Sequence, residues 1–183
     1  MNIEVIRSRR RTLCIEIREG RPVLRAPLRA SEAEISRFLT EKQHWIETHL
    51  AKAESMEEMK RSVPLLTTEE QQILVRQARL VFPERADFYA GLLEVTYGRI
   101  TLRMQRTRWG SCSSKGNLNF NCLLLLAPPE VLDSVVVHEL CHRKHMNHSA
   151  AFYAEILRVF PDYRHWDRWL KENGPLLLAR LPL

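Results

Sequence analysis

The sequence lacks the devices that would place it in several common classes. Its four cysteines, Cys14, Cys112, Cys122 and Cys141, form no C-x-x-C pair and are too sparse for a disulfide framework. A disulfide-stapled fold is therefore not expected, and the thiols are expected to be reduced and mostly packed. No stretch approaches the roughly 20 apolar residues of a membrane span. The start, from Met1 to Arg11, has no apolar signal-peptide core, so a cytoplasmic location is expected. No G-x-x-x-x-G-K-[ST] loop and no acidic magnesium cluster provide for nucleotide phosphates, and no internal repeat signals a solenoid.

What remains is an ordinary globular composition, 45% hydrophobic and 27% charged over 183 residues, enough for one large domain or two small ones. The net charge of +6 is uneven. Basic groups outnumber acidic ones in residues 1–30 and 71–115, and acidic ones lead in 31–70. The basic stretches are either solvated surface or a nucleic-acid contact.

The segment from Val137 to His148 carries the chemistry. It writes H-E-x-x-H, with His138, Glu139 and His142, and places His148 ten positions after the first histidine. On a helix, positions i and i+4 share a face, so His138 and His142 can hold one Zn2+ with Glu139 beside its open position. A third ligand from His145 would lie about 10.5 Å along the axis from His138, at about 1.5 Å per residue. Zn–N bonds of about 2.0–2.1 Å close poorly over such a span. A break at Met146-Asn147 followed by a new helix at His148-Ser149 favours His148. His145 is then a supporting donor or a cation at the helix C-terminus, and Cys141 a small buried hydrophobe.

Around this segment the pattern is α+β. Residues 12–18 and 21–26 read as a hairpin about Gly20, and Ser31-Glu32-Ala33-Glu34 as a capping box opening a helix that carries Trp45 and Leu50. Residues 51–66 read as a helix tail running into a linker, giving an N-terminal region, 1–66, and a second domain, 67–183. Thr67-Thr68-Glu69-Glu70 opens a helix that Pro83 interrupts or kinks, with a continuation to Gly91. Ile100–Gln105 and Leu118–Leu124 alternate as two half-buried strands, and Arg106–Gly116 between them reads as an exposed loop near the metal. Pro128-Pro129-Glu130 opens the zinc helix, and a last helix with Tyr163, Trp166, Trp169 and Leu170 stops at Asn173-Gly174. The apolar tail from Pro175 to Leu183 docks on the body or on a partner. Tyr153 and Tyr163 read as core aromatics, with oxyanion donation as the alternative.

Arg106-Thr107-Arg108-Trp109-Gly110-Ser111-Cys112-Ser113, Leu126-Ala127-Pro128-Pro129, Val136–His142, Asn147-His148-Ser149 and Trp169-Leu170 together resemble the YgjP-like metallopeptidase family. Arg9–Leu13 and Arg25-Ala26-Pro27 add to the likeness, which covers most of the chain. The family belongs to the zincin group, near SprT-like and WLM proteases. The resemblance implies an α+β zincin-like domain with a small antiparallel sheet, His138, His142 and His148 as zinc ligands, and Glu139 as catalytic base. It also implies that the Arg108, Trp109 and Ser111 loop borders the active site, where those residues are candidates for substrate contact. His145 stands where metzincins have glycine, which argues against that branch. By analogy with zincins, Leu118–Leu124 or Ile100–Gln105 pairs with an extended peptide substrate.

Two other functions fit the likeness. One is a metal-dependent nucleoside triphosphate pyrophosphatase acting on UTP, with phosphates on Arg106, Arg108 and Lys115. The other is a DNA-associated protein or DNA-dependent protease.

Overall fold

The computed structural model describes residues 3–182, so Met1, Asn2 and Leu183 of the start and tail discussed above lie outside the described residues. The chain divides into two compact units, Met1–Ser62 and Val63–Leu183.

In the first unit, β2 (Cys14–Arg18) and β3 (Arg21–Pro27) form the expected antiparallel hairpin. Its two-residue turn, Glu19-Gly20, has φ of 49° and 72°, the doubly left-handed geometry that matches strand twist. A further strand, β1 (Glu4–Ser8), pairs parallel to β3 and makes β3 the centre of the sheet. Sequence pattern missed it because β1 is largely exposed, without an alternating buried face. Ser31 caps α1 (Glu32–Glu41) through the reciprocal bonds with Glu34, and Ile35 packs with Leu24 and Ala26. The helix breaks at Lys42, and α2 (Gln43–Ser62) supplies the expected helical tail before residues 63–66.

In the second unit, Thr67 caps α3 (Thr68–Leu93), which passes through Pro83 as one element. Proline removes one backbone donor there. Leu74, Ala78, Phe82, Ala86, Tyr89, Ala90 and Leu93 nevertheless hold one face of the helix in the core. Strands β4 (Ile100–Arg103), β5 (Gly110–Cys112) and β6 (Leu118–Asn121) form a sheet in the order β4-β6-β5. It is mixed rather than wholly antiparallel: β4 runs parallel to β6, and β5 antiparallel to it. Strand β6 ends at Asn121, and Cys122–Leu126 winds into a 3-10 turn instead of extending the strand.

The central element is α4 (Pro129–Cys141), whose residues from Val131 to Val137 are all buried. Phe82 stacks on Phe120 at 4.8 Å between α3 and the sheet. Asp133, buried on α4, accepts from both Arg85 and Tyr89 of α3, which satisfies a carboxylate that burial would otherwise penalise. Helices α5 (Ala150–Val159) and α6 (Tyr163–Ala179) complete the unit. The expected stop at Asn173-Gly174 does not occur. Gly174 lies inside α6 because a Cβ there would meet the Trp109 ring at 2.9 Å, so the glycine serves close packing rather than termination. The end of α6 docks on the body: Arg180 accepts from the Leu66 amide and donates to Pro64, and Arg106 donates to Leu181. No described helix is long and apolar enough to cross a membrane.

Candidate metal centre and active site

Helix α4 ends at Cys141, and His142 caps it with its backbone still helical. The chain then turns through residues 143–149 until Ser149 caps α5 by accepting from the Phe152 amide. This turn returns His148 to the helix it has just left. One ligand nitrogen from each of His138, His142 and His148 lies within 4.8 Å of the other two. The Nε2 atoms of His138 and His148 are 3.1 Å apart. Two nitrogens at about 2.0–2.1 Å from a tetrahedral ion sit about 3.3 Å from each other, so the His138–His148 spacing matches a shared metal ion, with His142 close enough to complete the set.

The other ring nitrogens fix how the imidazoles face. His142 Nδ1 donates to the His145 carbonyl at 3.0 Å, which leaves its Nε2 as a lone pair toward the triad. His138 Nδ1 lies 2.8 Å from the Tyr163 hydroxyl. Phe152 is fully buried beneath all three rings, with centroids 4.8–5.0 Å away. Burial, reinforced by its two neighbours, lowers the His138 pKa to about 4, and burial lowers that of His142 as well. Both therefore stay neutral and available as ligands. His145 serves through its backbone carbonyl, and its imidazole is outside the triad.

Glu139 is buried at 6% exposure. Burial pushes its carboxyl up to about 7, against the pull of the Arg108 charge and of the Cys112 amide, which donates to it. Gly110 makes room for it, since a Cβ there would stand 2.6 Å from Glu139 Oε1. The segment read as an exposed loop thus contains β5, an edge strand held against Glu139. Asn121 fixes its approach by donating to the Gln105 and Arg108 carbonyls at 2.7 and 3.1 Å.

Trp109 O accepts from Asn121 N and Ser113 N donates to Asn117 O, so the odd-numbered residues pair with β6. The backbone groups of Gly110 and Cys112 face outward. Of the two strands expected to pair with an extended substrate, only β4 keeps a free edge. Strand β6 is paired on both sides, and the free edge of β4 lies across the sheet from β5.

The Arg108 side chain is exposed, with its charge felt at Glu139. Half-buried Trp109 lines a cavity of about 200 Å³ with Gly110, Val135, His138, Glu139, Tyr163 and Asp167. Ser111 does not line that cavity, and its hydroxyl accepts from Asn119 at 3.0 Å.

The family model of the YgjP-like metallopeptidase domain matches residues 11–71 and 68–173. The chain belongs to the YgjP-like metallopeptidase family. It is accordingly a metallohydrolase, and the family implies a divalent metal for which the histidine triad is suited. The crystal structure of the metallopeptidase zymogen of Pyrococcus abyssi abylysin is similar at 20% identity, over 51% of this chain and 96% of that one, with a TM-score of 0.46. No curated protein matches. Within this YgjP-like chain, sequence reasoning missed Phe152, Asn121, Gly110 and the β5 edge. Only Phe152 left a signal, as the apolar residue three positions after the Ser149 cap.

Proposed function

We propose that the protein is a zinc-dependent peptidase in which His138, His142 and His148 hold the metal and Glu139 is the general base, with residues 67–183 as the catalytic domain. The observation that carries this reading is the convergence of three imidazoles beside one buried carboxylate with a raised pKa. Bound zinc supplies Lewis acidity, which lowers the pKa of water and polarises a carbonyl.

Glu139 takes the proton from the attacking water and returns it to the leaving amine, a transfer favoured by a carboxyl poised near neutrality. The Cys112 amide fixes the carboxylate's orientation, and Gly110 lets it approach the strand. The outward backbone groups of Gly110, with the Cys112 carbonyl, offer an extended substrate a strand edge to pair with.

The test is a zinc-loaded assay of a peptide library beside UTP, each with and without chelator. Chelator-sensitive peptide cleavage supports the reading. UTP hydrolysis without peptide cleavage replaces it.

A further inference from the structure

The cavity beside Glu139 has a composition that the catalytic reading leaves unused. Trp109, Val135 and Leu170 supply apolar walls, and Tyr163 and Asp167 stand on the same face of α6 one turn apart. Among the described residues that line the cavity none is a lysine or arginine, while Asp167 adds a carboxylate. Asp167 is part-buried, with its side chain 34% exposed, and it shares the cavity lining with His138 and Tyr163.

The partner Asp167 now holds is weakly committed. It accepts from Lys171 Nζ at 2.6 Å, four residues along the helix, but the Lys171 side chain is 72% exposed. An exposed pair at that spacing is weak and exchanges readily with solvent. An ammonium arriving through the cavity, with its stem already removed from water, is a better partner for the same carboxylate. Lys171 then swings into solvent, where its charge is fully hydrated.

We infer that this cavity is a substrate subsite for a long basic side chain, lysine or arginine, adjoining the bond that is cut. Its methylene stem lies along Trp109, Val135 and Leu170 and its positive head meets Asp167. The inference rests on the peptidase reading for its place beside the cut bond, but the recognition itself is a binding property. Norleucine matches the stem and lacks the charge, and glutamate reverses the charge, so three capped peptides separate the contributions: Ala-Ala-Xaa-Ala-Ala with Xaa lysine, norleucine or glutamate.

Binding is measured by calorimetry on zinc-loaded Glu139→Gln protein, which stops turnover, keeps the size of that wall of the cavity and leaves Asp167 in place. The lysine peptide is expected to bind roughly tenfold more tightly than the norleucine peptide, the scale of one charge-assisted contact, with glutamate weakest. Adding Asp167→Asn should collapse that ratio toward one, and adding Lys171→Ala should widen it by freeing the carboxylate. Circular dichroism of each variant checks its fold, and Lys171→Ala, at an exposed position, keeps the test alive should Asp167→Asn unfold. Equal binding of lysine and norleucine, a ratio unmoved by both substitutions, or no measurable binding of any of the three would overturn the subsite. Mapping cut sites in a peptide library with wild type distinguishes the two levels. Cleavage without enrichment of lysine or arginine beside the cut bond removes the subsite and leaves the peptidase reading standing. The predicted binding order without any cleavage removes the peptidase reading and leaves the subsite.

Discussion

Tyr163 places its hydroxyl 2.8 Å from His138 Nδ1 while its ring is buried against the same helix. One side chain on α6 thereby sets the orientation of an imidazole on α4. Tyr163→Phe keeps the packing and removes the oxygen. Zinc affinity is expected to fall roughly 10–100-fold with the fold unchanged, the usual effect of losing a partner behind a ligand. Competition against a calibrated chelator measures it, and an unchanged affinity would show that the hydroxyl does not support His138.

Gly110 and Glu139 are packed so closely that a single methyl group must separate them. In Gly110→Ala the carboxylate has to leave its position beside the Cys112 amide. Peptidase activity should drop by about 10²-fold or more, the range in which a general base contributes, while zinc content stays at the wild-type value. Elemental analysis and kinetics on the same sample decide it. Loss of zinc together with activity would mean that the strand shapes the ligands and not the base.

Glu155 joins Lys144, in the turn before His148, to Arg158 on its own helix. Hydrogen bonds from Arg158 and Lys144 hold its carboxyl down to about 2, below the ordinary 4.5. A carboxylate lowered on folding stabilises fully above the unfolded value and loses that contribution as pH falls through the folded one. The window is therefore from about pH 4.5 down to about 2. Solvent screening leaves roughly 1 kcal/mol of the larger figure the shift alone implies. Urea unfolding of wild type and Glu155→Gln should differ by that amount at pH 6 and converge near pH 2. A constant gap would rule out this linkage.

The legible part of this molecule was the part written in local pattern. The capping boxes at Ser31 and Thr67, the β2–β3 hairpin and the helix opening at Pro129 all follow from residues a few positions apart, and the structure has them. The spacing of His138, His142 and His148 was equally open to reading, because a helix followed by a turn has few ways to arrange three imidazoles.

What could not be read depends on contacts distant in sequence. Strand β5 is three residues long and contains no alternating apolar pattern, so only its pairing with β6 makes it a strand. Gly174 looks like a helix stop until Trp109 is seen against it. Pro83 looks like a break until the buried face on both sides of it is counted. In each case tertiary packing overrides a local signal.

Asp133 offers a test of that packing. Its carboxylate takes hydrogen bonds from Arg85 and Tyr89, and Arg85 is held in its charged form chiefly by the bond to Asp133. Asp133→Ala leaves Arg85 without a partner at a site that is one-third exposed. Breaking a fully buried pair costs about 3–5 kcal/mol, and partial exposure of the arginine reduces this to roughly 2 kcal/mol. Chemical denaturation measures the change, and a loss below about 0.5 kcal/mol would show that the cluster contributes little to holding α4 on α3.

The central claim is that one zinc ion is held by three histidines, with Glu139 beside it and outside the ligand set. Native mass spectrometry of the zinc-loaded protein tests this directly. The account predicts one zinc per chain in wild type and in Glu139→Gln, and none retained in His148→Ala under the same conditions. Wild type without stoichiometric zinc, or His148→Ala with a full complement, would contradict it.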